Sequence, residues 1–400
     1  MTKVKVHSKA LDKTIEVDRI IGHIKGETAG PTLIFMGGIH GNEPAGVFAL
    51  HHVLKQLKPE NIKGSIYGIS GNLWALKQGE RYHKADLNRL WTAEKMVKLP
   101  KAGEPTLHHD QTEQVAINEL LDDILEKEKG PFYFFDMHTT SSETLPFLTV
   151  NDSLLNRHFT IQYPLPIILG IEEYLNGPIL SYINELGYVA FGFEAGQHDD
   201  MASIENCVSF IYLSLEFCGC LNKKDFEFQR YYDLLAKTVG DVRHIYEIYF
   251  HYSIREDEHF KMLPGFYNFQ RIKQNQHLAE SNDNPVRAKD DGRIFMPLYQ
   301  PKGTDGFFTI KEIWSPFLVL SEFLRKHRLD RILTFLPGVE WLDKDKSGLR
   351  VNKRIARFMA KDIFHLFGYR HVYLDEHHLN MYNRDASART QEYRNASWLN

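Results

Sequence analysis

Cysteine is scarce in this 400-residue chain, where Cys207, Cys218 and Cys220 are the only three. A small, odd number rules out a disulfide framework and points to a reducing compartment. Long apolar runs are missing too: none reaches the ~18 uncharged residues that a membrane-spanning helix needs. The first twenty residues mix Lys3, Lys5, Lys9, Asp12, Lys13, Glu16, Asp18 and Arg19 with no apolar stretch, so no secretory signal is expected either. The chain reads as cytoplasmic, with no membrane partner. It also has no excess of one charge. With 48 Lys and Arg against 52 Asp and Glu, the net charge is -4, too weak a field to hold a polyanion, so nucleic acid is not an expected partner. No Gly-x-Gly-x-x-Gly or Walker loop occurs, and hence no sign of a nucleotide cofactor. What is present is an ordinary globular composition, 43% hydrophobic and 25% charged, which excludes a disordered or fibrous chain.

The length suggests roughly two to three domains. Up to about residue 248, short apolar runs alternate with amphipathic stretches, the pattern of an α/β fold with helices packed on a mixed sheet. Thr32 to Met36 reads as a strand ending in Gly37 and Gly38. Beyond Pro44, Val47, Leu50, Leu54 and Leu57 recur at helical spacing. Ile117, Leu120, Leu121, Ile124 and Leu125 form the face of a second helix, opened by Asp110 with Glu113 three residues on and stopped by Gly130-Pro131. The strands Phe132 to Asp136 and Gly187 to Phe193 come later, and a long helix is expected from Lys224 to Ile248. From 249 to 316, short aromatic-rich runs broken by Pro264-Gly265, Asn284-Pro285 and Asp291-Gly292 read as a small β domain. A partly helical extension, 317–400, follows, with helices expected at Phe317 to Leu329 and Val351 to Leu366.

The strongest chemical signal is Gly37-Gly38-Ile39-His40-Gly41-Asn42-Glu43, a histidine and a glutamate three apart on a glycine-rich turn after a strand. Spacing alone proves little, since His244 and Glu247 repeat it inside the expected long helix. The setting differs: ligands of open α/β sheets sit beyond strand carboxyl ends. A catalytic zinc commonly takes two histidines, one glutamate and an open position, so a third ligand must lie elsewhere. His138 is the best candidate, at the end of its own strand with Asp136 two residues before it, on the same face and able to orient the imidazole. The adjacent pairs His51-His52, His108-His109 and His377-His378 read as solvated, and Cys218-Gly219-Cys220 as buried free thiols.

Four segments in order, Gly38 to Glu43, Arg81 through Asp86-Leu87-Asn88-Arg89, Asp136 to Ser141, and Glu194-Ala195-Gly196-Gln197, resemble the succinylglutamate desuccinylase/aspartoacylase family within the zinc carboxypeptidase group. The resemblance implies a carboxypeptidase-like mixed sheet flanked by helices, a smaller β domain, one zinc per chain, and hydrolysis of an amide beside a carboxylate. It implies zinc ligation by His40, Glu43 and His138, with Glu194 as general base and Arg81 stabilising the oxyanion. Asn88 and Arg89 would bind the carboxylate of a small-molecule substrate. One departure stands out. Some relatives place a second carboxylate-binding arginine ten residues before the base, where this chain has Asn184. His198, Tyr299 and Phe307 are further residues that could border the cleft or serve only packing.

Three readings stay open on sequence grounds: a deacylase of N-acyl amino acids, a metallocarboxypeptidase using the same residues, and a non-catalytic binding protein. A narrow cleft would favour the first and an open groove the second. Homo-oligomerisation is also left open.

Overall fold

The computed structural model describes residues 3–100, 103–104, 106–344, 346–352, 360–373 and 377–399. The apolar run at Thr32 to Met36 is the buried half of strand β1 (Thr28–Gly37). Positive φ at Gly38 (76°) then turns the chain, where a Cβ would also meet Leu76 at 2.8 Å. Helix α1 (Ala45–Val53) begins straight after Pro44. Helix α2 (His109–Lys127) buries Val115, Ile117, Leu121 and Ile124, and Gly130-Pro131 leads into strand β2 (Phe132–Thr140), buried along its whole length. Strand β3 (Val189–Gln197) follows the helix Ile179–Glu185.

These strands belong to an 11-stranded mixed sheet. Toward one edge of it Lys63–Ser70, β1, β2 and β3 lie side by side and parallel. The chain leaves β1 for Lys63–Ser70 on one side and then crosses to β2 on the other. The strand order therefore reverses between β1 and β2, the crevice where α/β sheets hold ligands. Two buried apolar clusters cover the faces, one around Leu33, Phe35 and Phe135, the other around Ile34, Ile69 and Phe134.

The expected helix from Lys224 to Ile248 is corrected. Its helical part is Phe228–Val239, ended by Gly240 at φ 55°, and strand β4 (Ile245–Ser253) takes over. There the β-branched and aromatic run buries Tyr246 and Ile248 on one face, a period of two that suits a strand. His244 and Glu247 accordingly lie around a strand, facing Glu312 and Lys311. The boundary expected at 248/249 falls inside β4, whose first residues pair with Ile167–Leu169 of the main sheet. Strands do fill the following region, but β5 (Asp305–Glu312) and Gly292–Phe295 extend the central sheet. A separate three-stranded sheet holds Phe260–Met262, His277–Ser281 and Asn284–Arg287.

The extension begins with helix α3 (Ser315–Lys326) and builds a four-stranded antiparallel sheet. Val351 and Asn352, expected in a helix, end the strand Gly348–Asn352, and a helix runs over Ala360–Leu366. The part of that expected helix from 353 to 359 lies outside the described residues. The chain end returns to the main core, where Tyr393 is fully buried and its hydroxyl accepts from Val189 N at 3.0 Å. Among the described residues no helix is long and apolar enough to cross a membrane, and all three cysteines are buried and unpaired.

Candidate metal centre and its cavity

His40 and Glu43 sit on the turn after β1, while Asp136 and His138 end β2 and Glu194 lies in β3 as the register partner of His138. Between His138/Glu194 and Thr140/Gln197, two residues of β2 face three of β3, a bulge of the kind that re-aims side chains at sites. The result is convergence. His138 Nδ1 lies 3.0 Å from Glu43 Oε2 and His40 Nδ1 2.9 Å from Glu43 Oε1. The three ligand atoms lie within 4.8 Å of one another, and all three residues are buried.

The far side of each imidazole is occupied. His138 Nε2 donates to Asp136 at 2.7 Å, and His40 Nε2 donates to Asp86 at 3.0 Å. With each Nε2 so held, the two Nδ1 atoms face inward, the arrangement by which carboxylates prepare histidines for a metal. His40 Nδ1 has Glu43 Oε1 as its close polar neighbour, without the alignment of a good hydrogen bond. The donor set, two imidazoles and one carboxylate, suits zinc with an open position.

Charge in the site is dense. Burial opposes ionisation of Glu43, but His40 and His138 hold it well below the usual carboxylate range. His138 is likewise disfavoured by burial as a cation, yet Asp136 and Glu43 raise its pKa well above normal. For Glu194 burial wins. With Glu43 and Asp136 adding repulsion against the pull of His138 and Arg81, its carboxyl is pushed up to about 8. Its Oε2 is buried without a hydrogen-bond partner. Arg81 donates to Glu43 at 3.0 Å and to Asp86 at 3.4 Å.

Two residues to which sequence reasoning gave no part in the site shape this centre. Asp86 stood inside the quoted Asp86-Leu87-Asn88-Arg89 segment, and it supports His40 across 46 positions of chain. Asp110 accepts the backbone N–H groups of His83, Lys84 and Ala85 at 2.8–3.0 Å and the side chain of Asn72 at 2.9 Å. It clamps the loop that carries Arg81 and Asp86. With four donors on its two oxygens Asp110 is spent as a ligand, although His83 and His108 lie close enough to form a second cluster. His109, expected to be solvated, stacks on Trp74 at 5.0 Å.

The centre opens into a cavity of about 130 Å³. His40, Glu43, Arg81, Asn88, Arg89, His138 and Glu194 all line it; the far wall comes from Met296, Leu298, Gln300 and Asp305 beside β5. Arg89 donates to Asp305 at 3.1 Å, and His251 holds the other Asp305 oxygen at 2.9 Å. Arg89 thus shares the cavity with a fixed anion. Asn88 Oδ1 accepts from Ile179 N at 3.0 Å.

The remaining residues fall outside. Asn184 hydrogen-bonds to Asn156 and to Ala190 O, at 2.8 and 3.0 Å. His198 sits behind the wall, 2.7 Å from Thr139 Oγ1. Phe307 is a core residue, its neighbour Phe308 reaches the cavity, and the Tyr299 hydroxyl donates to Leu263 O at 2.7 Å.

Fold and site together place a buried cluster of two histidines and one glutamate, able to hold a metal ion, at the switch point of a mixed sheet. Residues 29–202 match the family described as Succinylglutamate desuccinylase/Aspartoacylase catalytic domain. Three solved structures share the fold. A succinylglutamate desuccinylase/aspartoacylase from Rhodobacter sphaeroides is 16% identical with TM-score 0.55, covering 78% of this chain and 94% of its own. The product-bound ectoine utilization protein EutE (DoeB) from Ruegeria pomeroyi is 17% identical with TM-score 0.54, covering 78% and 93%. An aspartoacylase family protein from Mesorhizobium loti is 14% identical with TM-score 0.51, covering 78% and 93%. A comparison with curated proteins finds no match.

Proposed function

We propose that this protein is a zinc-dependent deacylase that hydrolyses the amide of an N-acyl amino acid or similar small carboxylate in the cytoplasm. The observation that carries the reading is the meeting of two inward-facing imidazole nitrogens on Glu43, backed by Asp86 and Asp136, beside the unpartnered carboxyl oxygen of Glu194. Zinc held by His40, Glu43 and His138 would supply Lewis-acid polarisation of the carbonyl and acidify water. Glu194, with Oε2 free, takes the proton of the attacking water and returns it to the departing nitrogen. Arg81, fixed between Glu43 and Asp86, holds the oxyanion of the tetrahedral state. Arg89 and the Asn88 amide bind the substrate carboxylate.

The small cavity walled from the β5 side supports a small substrate over a peptide. Asp305 beside Arg89, together with the hydrogen-bonded Asn184, supports a single carboxylate contact. The zinc-loaded enzyme is therefore expected to release amine from neutral N-acetyl or N-formyl amino acids at least as fast as from N-acetyl-aspartate or N-succinyl-glutamate, and not to trim short peptides. A strong preference for doubly acidic substrates would overturn the single-contact reading. Trimming of peptides alone would favour the carboxypeptidase.

A further inference from the structure

Helix α3 is built inside out. The face it turns to the protein carries Ser321 and Arg325, both buried, with Arg325 donating to Asp385 at 2.8 and 3.0 Å and to Asp152 Oδ1 and O at 3.2 and 2.9 Å. Ser321 Oγ donates to Leu366 O at 2.8 Å. The face turned to solvent carries Phe317, Val319, Leu320 and Phe323, with Val319 69% and Phe323 53% exposed. Trp314 precedes them, and the 3-10 turn Leu329–Phe335 adds Ile332 and Phe335, the latter 86% exposed. Rotating the helix to hide this stripe would expel Arg325 from its buried partners, so the apolar face is held outward by the charges beneath it.

We infer that this face is where a second copy of the chain packs, giving a two-fold dimer. The exposed side chains amount to on the order of 800 Å², above what a monomer ordinarily leaves bare and close to one partner's share of a standard interface. A two-fold contact requires a patch complementary to itself, and an apolar stripe is that. At its rim Glu322 is shared between Lys326 at 3.1 Å and His158 at 3.2 Å, and Arg328 and Arg331 stand exposed at the 3-10 turn. The Rhodobacter sphaeroides structure is covered over 94% of its length by 78% of this chain, so about a fifth of this chain has no counterpart in it.

Sedimentation velocity of the full chain tests this. The wild type is expected to be a dimer at micromolar concentration. Val319→Glu with Phe323→Glu should be a folded monomer, with Kd raised at least ~100-fold by the charges such a contact would have to bury. Unchanged circular dichroism would show that the variant folds. A wild type that stays monomeric at hundred-micromolar concentration, with or without binding to lipid vesicles, overturns the inference, as does a folded double variant that dimerises like the wild type. Should the charges prevent folding, Leu320→Cys decides: oxidation should yield a chain-to-chain disulfide, since the three native thiols are buried, and failure to cross-link counts against the interface.

Discussion

Replacing Glu194 with Gln should lower kcat by about 10²- to 10⁴-fold, the usual worth of a positioned acid–base group. The change keeps size and shape, so the strand and its bulge should survive. What it removes is the ability of Oε2 to take a proton at a place where burial and two neighbouring carboxylates already favour the protonated form. Glu194 contributes no ligand atom to the cluster of His40, Glu43 and His138, so metal content should stay unchanged. Single-turnover amine release, with metal content measured on the same sample, checks both halves. A variant within tenfold of wild type would remove Glu194 from the mechanism.

Arg81→Ala is expected to cost about 10²- to 10³-fold, mostly in kcat, because an oxyanion contact is made in the transition state and not to the ground-state carbonyl. Arg81 is nearly buried, and its two guanidinium contacts fix it beside Glu43 and Asp86. Lysine there keeps the charge but not the two-pronged geometry, so Arg81→Lys should recover only part of the loss. Steady-state kinetics of both variants separates the terms. A rise in KM at unchanged kcat would instead make Arg81 a ground-state substrate binder.

The sequence is most legible where function sits on local pattern. The turn Gly37 to Pro44 announces itself because a buried strand, glycines and a helix start occur within a few residues, and Asp136-Met137-His138 because strand side chains two apart share a face. The structure brings His40, Glu43 and His138, with Arg81, Asn88, Arg89 and Glu194, around one cavity. What local pattern cannot reach is partnership over distance. Asp305 meets Arg89 across 216 positions, through pairing of β5 with β4 that no short motif encodes. Asp110 looked like an ordinary helix-start acid, yet its carboxylate gathers a loop some 25 residues back. The misread helix around residue 245 has a local cause: the amphipathic helix Phe228–Val239 runs almost without pause into a strand equally rich in apolar residues, and Gly240 alone marks the change. In the extension, Arg325 and Arg370 would be read as surface residues until Asp152 is seen buried between them.

The central claim is that His40, Glu43 and His138 hold one zinc ion, and metal content per chain after purification and zinc loading tests it most directly. The account predicts one zinc per chain in the wild type and in Glu194→Gln, and loss of most of it in His40→Ala and in His138→Ala, with both alanine variants still folded. Zinc content unchanged in both alanine variants would place the metal elsewhere and contradict the account.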